Sequence, residues 1–375
     1  MPGQLFQLRN IRTWTKASTR ATDSTLHQLA PYVGRMKTSM AKALIERVSI
    51  PGDVIVDPFC GSGVVALEAA ASHRTVFAGD WNPYAVLLTR AKLFAPRELS
   101  RAERQLDKAW ALSRECLRAQ DLRSVPRWVR SFFHPETLRS ALAFRDACVK
   151  TKSDFLLACL LGILHHQRPG FLSYPSSHLV PYLRTRNFPR DKFSSLYEER
   201  DVYERLRAKV RRTYRRMPEQ FSKTRRVFFG DARRFPIPTK VSAVITSPPY
   251  MNELDYVRDN RLRLWFIDRA LPSGIELSAG ERQRAFKELL SSVCKRLSGS
   301  IKLGGYFVLV VGEVSRGTRR GRTSVVTRQV FDETPELLDF RLAGTCYDTI
   351  PDIRRSRHEF RGTKGETILI YQKIK

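Results

Sequence analysis

The stretch that decides the reading is Val54-Ile55-Val56-Asp57-Pro58-Phe59-Cys60-Gly61-Ser62-Gly63. Three β-branched apolar residues following the Pro51-Gly52 break predict a buried strand over 54–56, and the loop Asp57 to Gly63 leads into a helix over 64–71. A Gly-x-Gly turn at a strand-to-helix junction lets the main chain come close to a nucleotide-like ligand, and it aims N–H groups of the next helix at that ligand. A lone Gly-Ser-Gly is common, so the weight rests on what surrounds it.

Upstream, the spacing Met40, Ala43, Leu44, Val48 predicts a helix from Ser39 to Val48. Downstream, a strand Thr75 to Ala78 ends at Gly79-Asp80, and Asn82-Pro83 opens a helix running to Leu93. This βαβα order predicts an α/β fold, a Rossmann-like doubly wound sheet. The rhythm then stops. Residues 95–222 read as helices at Ser100–Ala119 (with Ser100 as N-cap), Pro135–Lys150, Lys152–Gln167 and Leu196–Arg215, around an irregular stretch 168–192. The sheet resumes with Arg226–Phe229, ending at Gly230-Asp231, and with Ala243–Thr246. Later elements are a helix Ser278–Leu297, a strand Tyr306–Val311, a helix Thr327–Leu338, and closing strands over Leu342–Tyr347 and Glu366–Tyr371. The organisation expected is a basic arm (1–24), a catalytic domain (25–94 and 223–375), and a mainly helical insertion (95–222).

Two further features bear on the site. Asp57, Asp80 and Asp231 each stand at a strand tip, so all three carboxylates face one crevice outside the carboxyl edge of the sheet. An acidic residue there suits ribose hydroxyls and rejects a 2′-phosphate. Helix capping is the plain alternative for Asp80 and Asp231, and a dinucleotide-binding Rossmann fold is the direct competitor for the loop, because Ala66 is permitted at the third glycine position of that fingerprint. The second feature is Ser247-Pro248-Pro249-Tyr250, directly after the apolar strand 243–246. Consecutive prolines stiffen the backbone that presents the serine hydroxyl and an adjacent carbonyl.

Asp-Pro-Phe-x-Gly-Ser-Gly resembles the S-adenosylmethionine loop of the DNA amino-methyltransferases, and Ser-Pro-Pro-Tyr resembles their catalytic motif. The resemblance extends to the tract Leu26–Met40, with Tyr32 and Lys37, and to Gly230-Asp231-Ala232. It implies a class I methyltransferase fold with S-adenosylmethionine as cofactor. It further implies that Asp57, Gly61 and Gly63, together with Phe59, Cys60, Tyr32 and Lys37, border the methionine end. Asp80 then binds the ribose, Trp81 flanks the adenine, and Asp231 with Ala232 contacts the adenine amino edge.

An exocyclic amine of a nucleobase is a poor nucleophile, because its lone pair is delocalised into the ring. Two acceptors that take its hydrogens aim that lone pair at a methyl donor, a task suited to Ser247 Oγ and the Pro248 carbonyl. Tyr250 would stack on a base drawn out of its duplex. In the family, serine at the first position accompanies cytosine-N4 targets more often than adenine-N6, so the resemblance implies a DNA cytosine-N4 methyltransferase, with adenine-N6 as alternative. A tRNA guanine-N2 methyltransferase and a silent nucleic-acid-binding subunit are further readings. The former usually carries Asp before Pro-Pro-Tyr and an N-terminal RNA-binding domain, and the latter would have no need of Asp57, Gly61, Gly63, Ser247 and Tyr250 together. A carbon-5 route would need a cysteine nucleophile after proline, and none is present.

Composition agrees with such a partner. The 375 residues carry 66 Lys+Arg against 37 Asp+Glu, a formal charge of +29, and a field of that sign attracts nucleic acid. The apolar run 155–164 is far shorter than the roughly 20 residues of a bilayer span. Six scattered cysteines without a Cys-x-x-Cys pair, and a start lacking the secretory pattern, point to reduced thiols in a cytoplasmic, nucleoid-associated protein. His165-His166 lacks ligand-spaced partners, so no metal site is expected. Within the insertion, Arg184, Arg186 and Arg190 interleave with Tyr174 and Tyr182, a composition suited to phosphate contact and base insertion. Arg211, Arg212, Arg215 and Arg216 read equally as phosphate contacts or a solvated helix face. A cognate restriction endonuclease is an expected partner of a site-specific enzyme of this kind.

Overall fold

The run after Pro51-Gly52 forms β1 (Val54–Asp57), flanked in parallel by β2 (Thr75–Asp80) on one side and β4 (Val241–Thr246) on the other. Outside β2 lies β3 (Arg225–Phe229), also parallel, and outside β4 lies β5 (Ile301–Val314). A hairpin of β6 (Phe340–Thr349) and β7 (Thr363–Lys373) completes the order β3-β2-β1-β4-β5-β7-β6, with β7 antiparallel to both its neighbours. The structure is a computed structural model that describes residues 23–32, 34–165, 171–174, 191–219, 221–249, 260–268, 279–314, 322–349 and 363–375.

The sheet is covered on both faces, as its side-chain alternation requires. Ile55, Ala243, Ile245, Val308, Val310, Ile368 and Ile370 share one apolar cluster with α1 (Thr38–Val48), α2 (Val64–Ala71) and α3 (Pro83–Leu93). Val56, Val244, Phe307, Leu309, Leu369 and Tyr371 form the other cluster, with residues of α9 (Ala279–Ser298) and α10 (Thr323–Glu333). The strand order reverses between β2 and β4 about β1, so the crevice at the carboxyl ends opens there.

Between α3 and β3 the chain makes α4 (Leu99–Leu117), α5 (Pro135–Lys150), α6 (Asp154–Ile163) and α7 (Val202–Thr213). These helices share the first apolar cluster with the sheet and do not enclose a core of their own. Helix α6, apolar all round and buried throughout, packs against α3. A Cβ on its Gly162 would stand 2.1 Å from the Leu29 carbonyl oxygen, which shows how closely the tract before α1 lies against it.

Several element bounds differ from the sequence expectation, each for a local reason. Ser100 is not the cap of α4: the helix begins at Leu99 after Glu98, and the serine hydroxyl bonds Glu98 Oε2 instead. Ser153 accepts from Leu156 N, so α6 starts at Asp154 and not at Lys152. The span Leu196–Arg215 is divided, because Asp201 accepts from Glu204 N at 2.9 Å and starts a new helix after a short turn Ser194–Tyr197. Helix α10 ends at Glu333, ahead of Pro335. The later segment Arg261–Asp268 forms α8, with Leu262, Trp265 and Phe266 buried.

Candidate active site

A cleft of about 330 Å³ opens over the carboxyl ends of β1, β2 and β4. It is lined by the β1 loop (Asp57 to Ser62), the β2 tip (Asp80, Trp81), the β3 tip (Asp231, Ala232) and the β4 tip (Ser247, Pro249). The glycine loop and the proline corner, far apart in sequence, thus face one cavity, and all three strand-tip carboxylates border it.

The loop is held by its own backbone. Gly61 N donates to Asp80 Oδ2 and Asn82 N to Oδ1, both at 2.9 Å, while Cys60 N donates to the Gly79 carbonyl at 2.9 Å. Gly61 and Gly63 have φ of 48° and 71°, the left-handed region that glycine enters without strain. A Cβ on Gly63 would stand 2.6 Å from Thr89 Oγ1, so this glycine serves close packing of α2 against α3. Unlike its neighbours Ser62 and Val64, it does not line the cleft. A Cβ on Gly61 would stand 3.4 Å from the Tyr32 ring, and Tyr32 does line the cleft. The strap carrying Tyr32 is fixed from below: the buried Tyr84 donates its hydroxyl to the Pro31 carbonyl at 2.7 Å, and the two tyrosine rings lie 5.8 Å apart.

Electrostatics at the tips follow burial. Burial pushes the Asp57 carboxyl up to about 7; the bond from Thr246 Oγ1, 2.7 Å, pulls it back and Asp80 adds to the rise. Asp80 is pushed up to about 6 by burial, opposed by the N–H groups of Asn82, Gly61 and Trp81. The Asp231 carboxylate, by contrast, is held low by the fork of Arg233, whose Nη2 lies 2.5 Å from Oδ2. Behind the loop, the buried ammonium of Lys92 donates to the Ser62 carbonyl, and burial depresses its pKa to about 7. The Cys60 thiol is buried 3.4 Å from Thr89 Oγ1 and pushed well above its usual value, so it is no nucleophile.

At the target side Ser247 donates its hydroxyl to the Val310 carbonyl at 2.9 Å. That bond uses the one proton and leaves the oxygen lone pairs as acceptors. Pro249 is exposed at the rim, and Pro248 is buried and does not line the cleft.

Other assignments fall differently. The Lys37 ammonium pairs with the buried Asp348 of β6 and does not line the cleft, although Arg35 and Met36 beside it do. Tyr174 is buried, its ring 4.7 Å from that of Tyr197 and its N–H bonded to the Phe132 carbonyl, so it offers no face to a base. Arg211 bonds Glu103 at 2.7 Å, and Arg216 Nε donates to the Asp23 carbonyl. Tyr182, Arg184, Arg186, Arg190 and Tyr250 lie outside the described residues, as does the arm up to Thr22. The sequence reading overlooked Arg35, Ser62, Arg233, Thr246 and Leu289; the first four adjoin or interrupt quoted motifs, whereas nothing in the helical pattern of α9 singles out Leu289.

The residues present fit the cofactor implied. The Ser62 hydroxyl is buried without a partner among the described residues, three strand-tip carboxylates border the cavity, and Trp81, 71% exposed at its edge, offers a ring face for a purine. The cavity falls within the roughly 300–1,000 Å³ of small-ligand clefts. The seven-strand order with its single reversed strand, and an acidic cleft at the switch point, define the class I fold of S-adenosylmethionine-dependent methyltransferases. Residues 2–89, which hold the strap, the β1 loop and most of α3, match the family described as DNA methylase (N6_N4_Mtase). No curated protein matches it.

Solved structures similar to the chain include TrmN from Thermus thermophilus, at 13% identity and TM-score 0.39, covering 94% of this chain and 53% of that one. An rRNA methylase from Streptococcus thermophilus aligns at 7% identity and TM-score 0.34, over 91% of this chain and 98% of that one. The rRNA methyltransferase aviRa from Streptomyces viridochromogenes aligns at 11% and 0.34, over 93% of each chain.

Proposed function

We propose that the protein transfers the methyl group of S-adenosylmethionine to the exocyclic N4 amine of cytosine in DNA, on a base drawn out of its stack. The observation that carries this reading is Ser247: a hydroxyl in the same cleft as the glycine loop, its proton committed to the Val310 carbonyl and its lone pairs available. Such an oxygen accepts one amine hydrogen. The bound cofactor supplies a methyl group on a positively charged sulfur; the nitrogen–carbon bond forms as the carbon–sulfur bond breaks, and the amine releases one proton to water. Asp57 and Asp80 offer the negative charge and acceptors that suit a cationic, ribose-bearing ligand. The formal charge of +29, and the exposed Arg233 and Arg234 behind the β3 tip, support a polyanionic partner. The aromatic- and arginine-rich stretch 168–192 is the candidate recognition segment, and a cognate restriction endonuclease a candidate partner.

Incubation with labelled methyl donor and either duplex DNA or tRNA, followed by mass spectrometry of the nucleosides, tests the reading. N4-methylcytosine supports it; N6-methyladenine transfers the same site to adenine. Label confined to guanine of tRNA, or absent while cofactor still binds, removes it.

A further inference from the structure

The ladder between β1 and β4 ends at Val56↔Val244. Beyond that pair the two strand tips are joined by a side-chain bond, Thr246 Oγ1 donating to Asp57 Oδ1 at 2.7 Å, with both residues buried. One end of this bond is a carboxylate bordering the cofactor cleft, and the other is the residue immediately before Ser247. It therefore spans the switch point of the sheet and connects the two motifs directly.

We infer that Thr246 is a positioning residue whose hydroxyl reads the charge on Asp57, and that it thereby ties occupation of the cleft by a cation to the placement of the Ser247 acceptor. The inference rests on the cofactor chemistry proposed above and adds a residue and a coupling to it. An O–H bond to a carboxylate is shorter and stronger than one to the neutral acid. Asp57 interacts with Asp80 of the β2 tip and Cys60 of its own loop, and shares the cleft with Arg35 of the strap and with Asp231 and Arg233 at the β3 tip. With burial and Asp80 holding its pKa near 7, the ligand-free carboxyl is divided between acid and anion at neutral pH. A cation in the cleft draws it to the anion and tightens the bond to Thr246. The product, which has lost the sulfonium charge, does so less, and the grip on Ser247 relaxes after transfer.

The test measures calorimetric affinity of the full chain for S-adenosylmethionine and S-adenosylhomocysteine from pH 5.5 to 8.5, together with transfer kinetics, for the wild type, Thr246→Val, Thr246→Ser and Asp57→Asn. Because a cation binds the ionised form, wild-type affinity for S-adenosylmethionine falls as pH drops below about 7, approaching tenfold per pH unit. S-adenosylhomocysteine shows the shallower slope, and Asp57→Asn flattens both. Loss of the donor in Thr246→Val raises the Asp57 pKa, moving the midpoint up by about one pH unit. In the same variant kcat drops about 10- to 100-fold, while KM for the cofactor at pH 8.5 stays within about threefold. Thr246→Ser restores both quantities. A midpoint or kcat unchanged in Thr246→Val, or a Thr246→Ser as impaired as the valine variant, overturns the inference. If the valine variant does not fold, Thr246→Ala supplies the same comparison. Failure of either nucleoside to bind the wild type at any pH would instead remove the cofactor reading.

Discussion

At the β1–β2 end of the cleft the loop is braced by main-chain and buried contacts: Asp80 takes two N–H groups, Gly79 a third, Lys92 caps the Ser62 carbonyl, and Gly63 seats against Thr89. At the β4 end, among the described residues, Ser247 is held by one bond to Val310 and Thr246 by one bond to Asp57, and Pro249 is exposed. Under the proposed function, the difference matches what each end would have to do. A small, always similar cofactor is best met by a preformed cradle, whereas a base entering from a polymer needs an open rim with a few acceptors set in advance.

The comparison is tested most severely at Ser247. Ser247→Ala removes an acceptor and nothing from the cradle, so methyl transfer should fall about 100- to 1,000-fold. Binding of S-adenosylhomocysteine, followed by calorimetry, should stay within about threefold. Equal losses in both would erase the division between the two ends. Next in size is Gly63→Ala, which adds a Cβ 2.6 Å from Thr89 Oγ1 at a left-handed φ. A loss of about 2–4 kcal/mol should appear in chemical denaturation, with cofactor binding failing only through the loss of fold.

Trp81→Ala comes third. The side chain is 71% exposed, so stability should hold, while cofactor affinity should fall about tenfold through the lost ring face. The last test is a pH dependence of the ligand-free protein. Asp57 has a folded pKa of about 7 against an ordinary 3.8. Its contribution to stability is therefore greatest below pH 4 and is lost as pH rises through 7. Asp57→Asn, which stays neutral, should melt at the same temperature as the wild type near pH 4 and higher at pH 8; scanning calorimetry decides, and a constant difference across that range would contradict the buried-carboxyl description.

Much of this was legible before any coordinates. The strands at 54–57 and 243–246, the helix 64–71 and the Asn82 cap all follow from local patterns, because hydrophobic period, proline and glycine act within a few residues of themselves. The cleft-facing Asp57, Gly61, Asp80, Trp81, Asp231 and Ser247 were legible for the same reason: strand tips of a parallel sheet share one edge. Lys37 and Gly63 lie outside the cleft lining, each engaged by a partner distant in sequence, Asp348 and Thr89, that no spacing reveals. Tyr174 went wrong because an aromatic residue in a basic stretch has the same composition whether it faces solvent or a core, and here the core has it.

By itself, then, the chain's order of residues determined the alternation of strands and helices, the two corners that meet at the cleft and the sign of the chain's own charge, all of them local or additive properties. Only the tertiary structure decided that the two corners open on one cavity, that Ser247 spends its proton on Val310, and that Thr246 reaches Asp57 across the switch point. Those depend on strand order and on distances between segments far apart in the chain, which packing sets and local sequence does not encode.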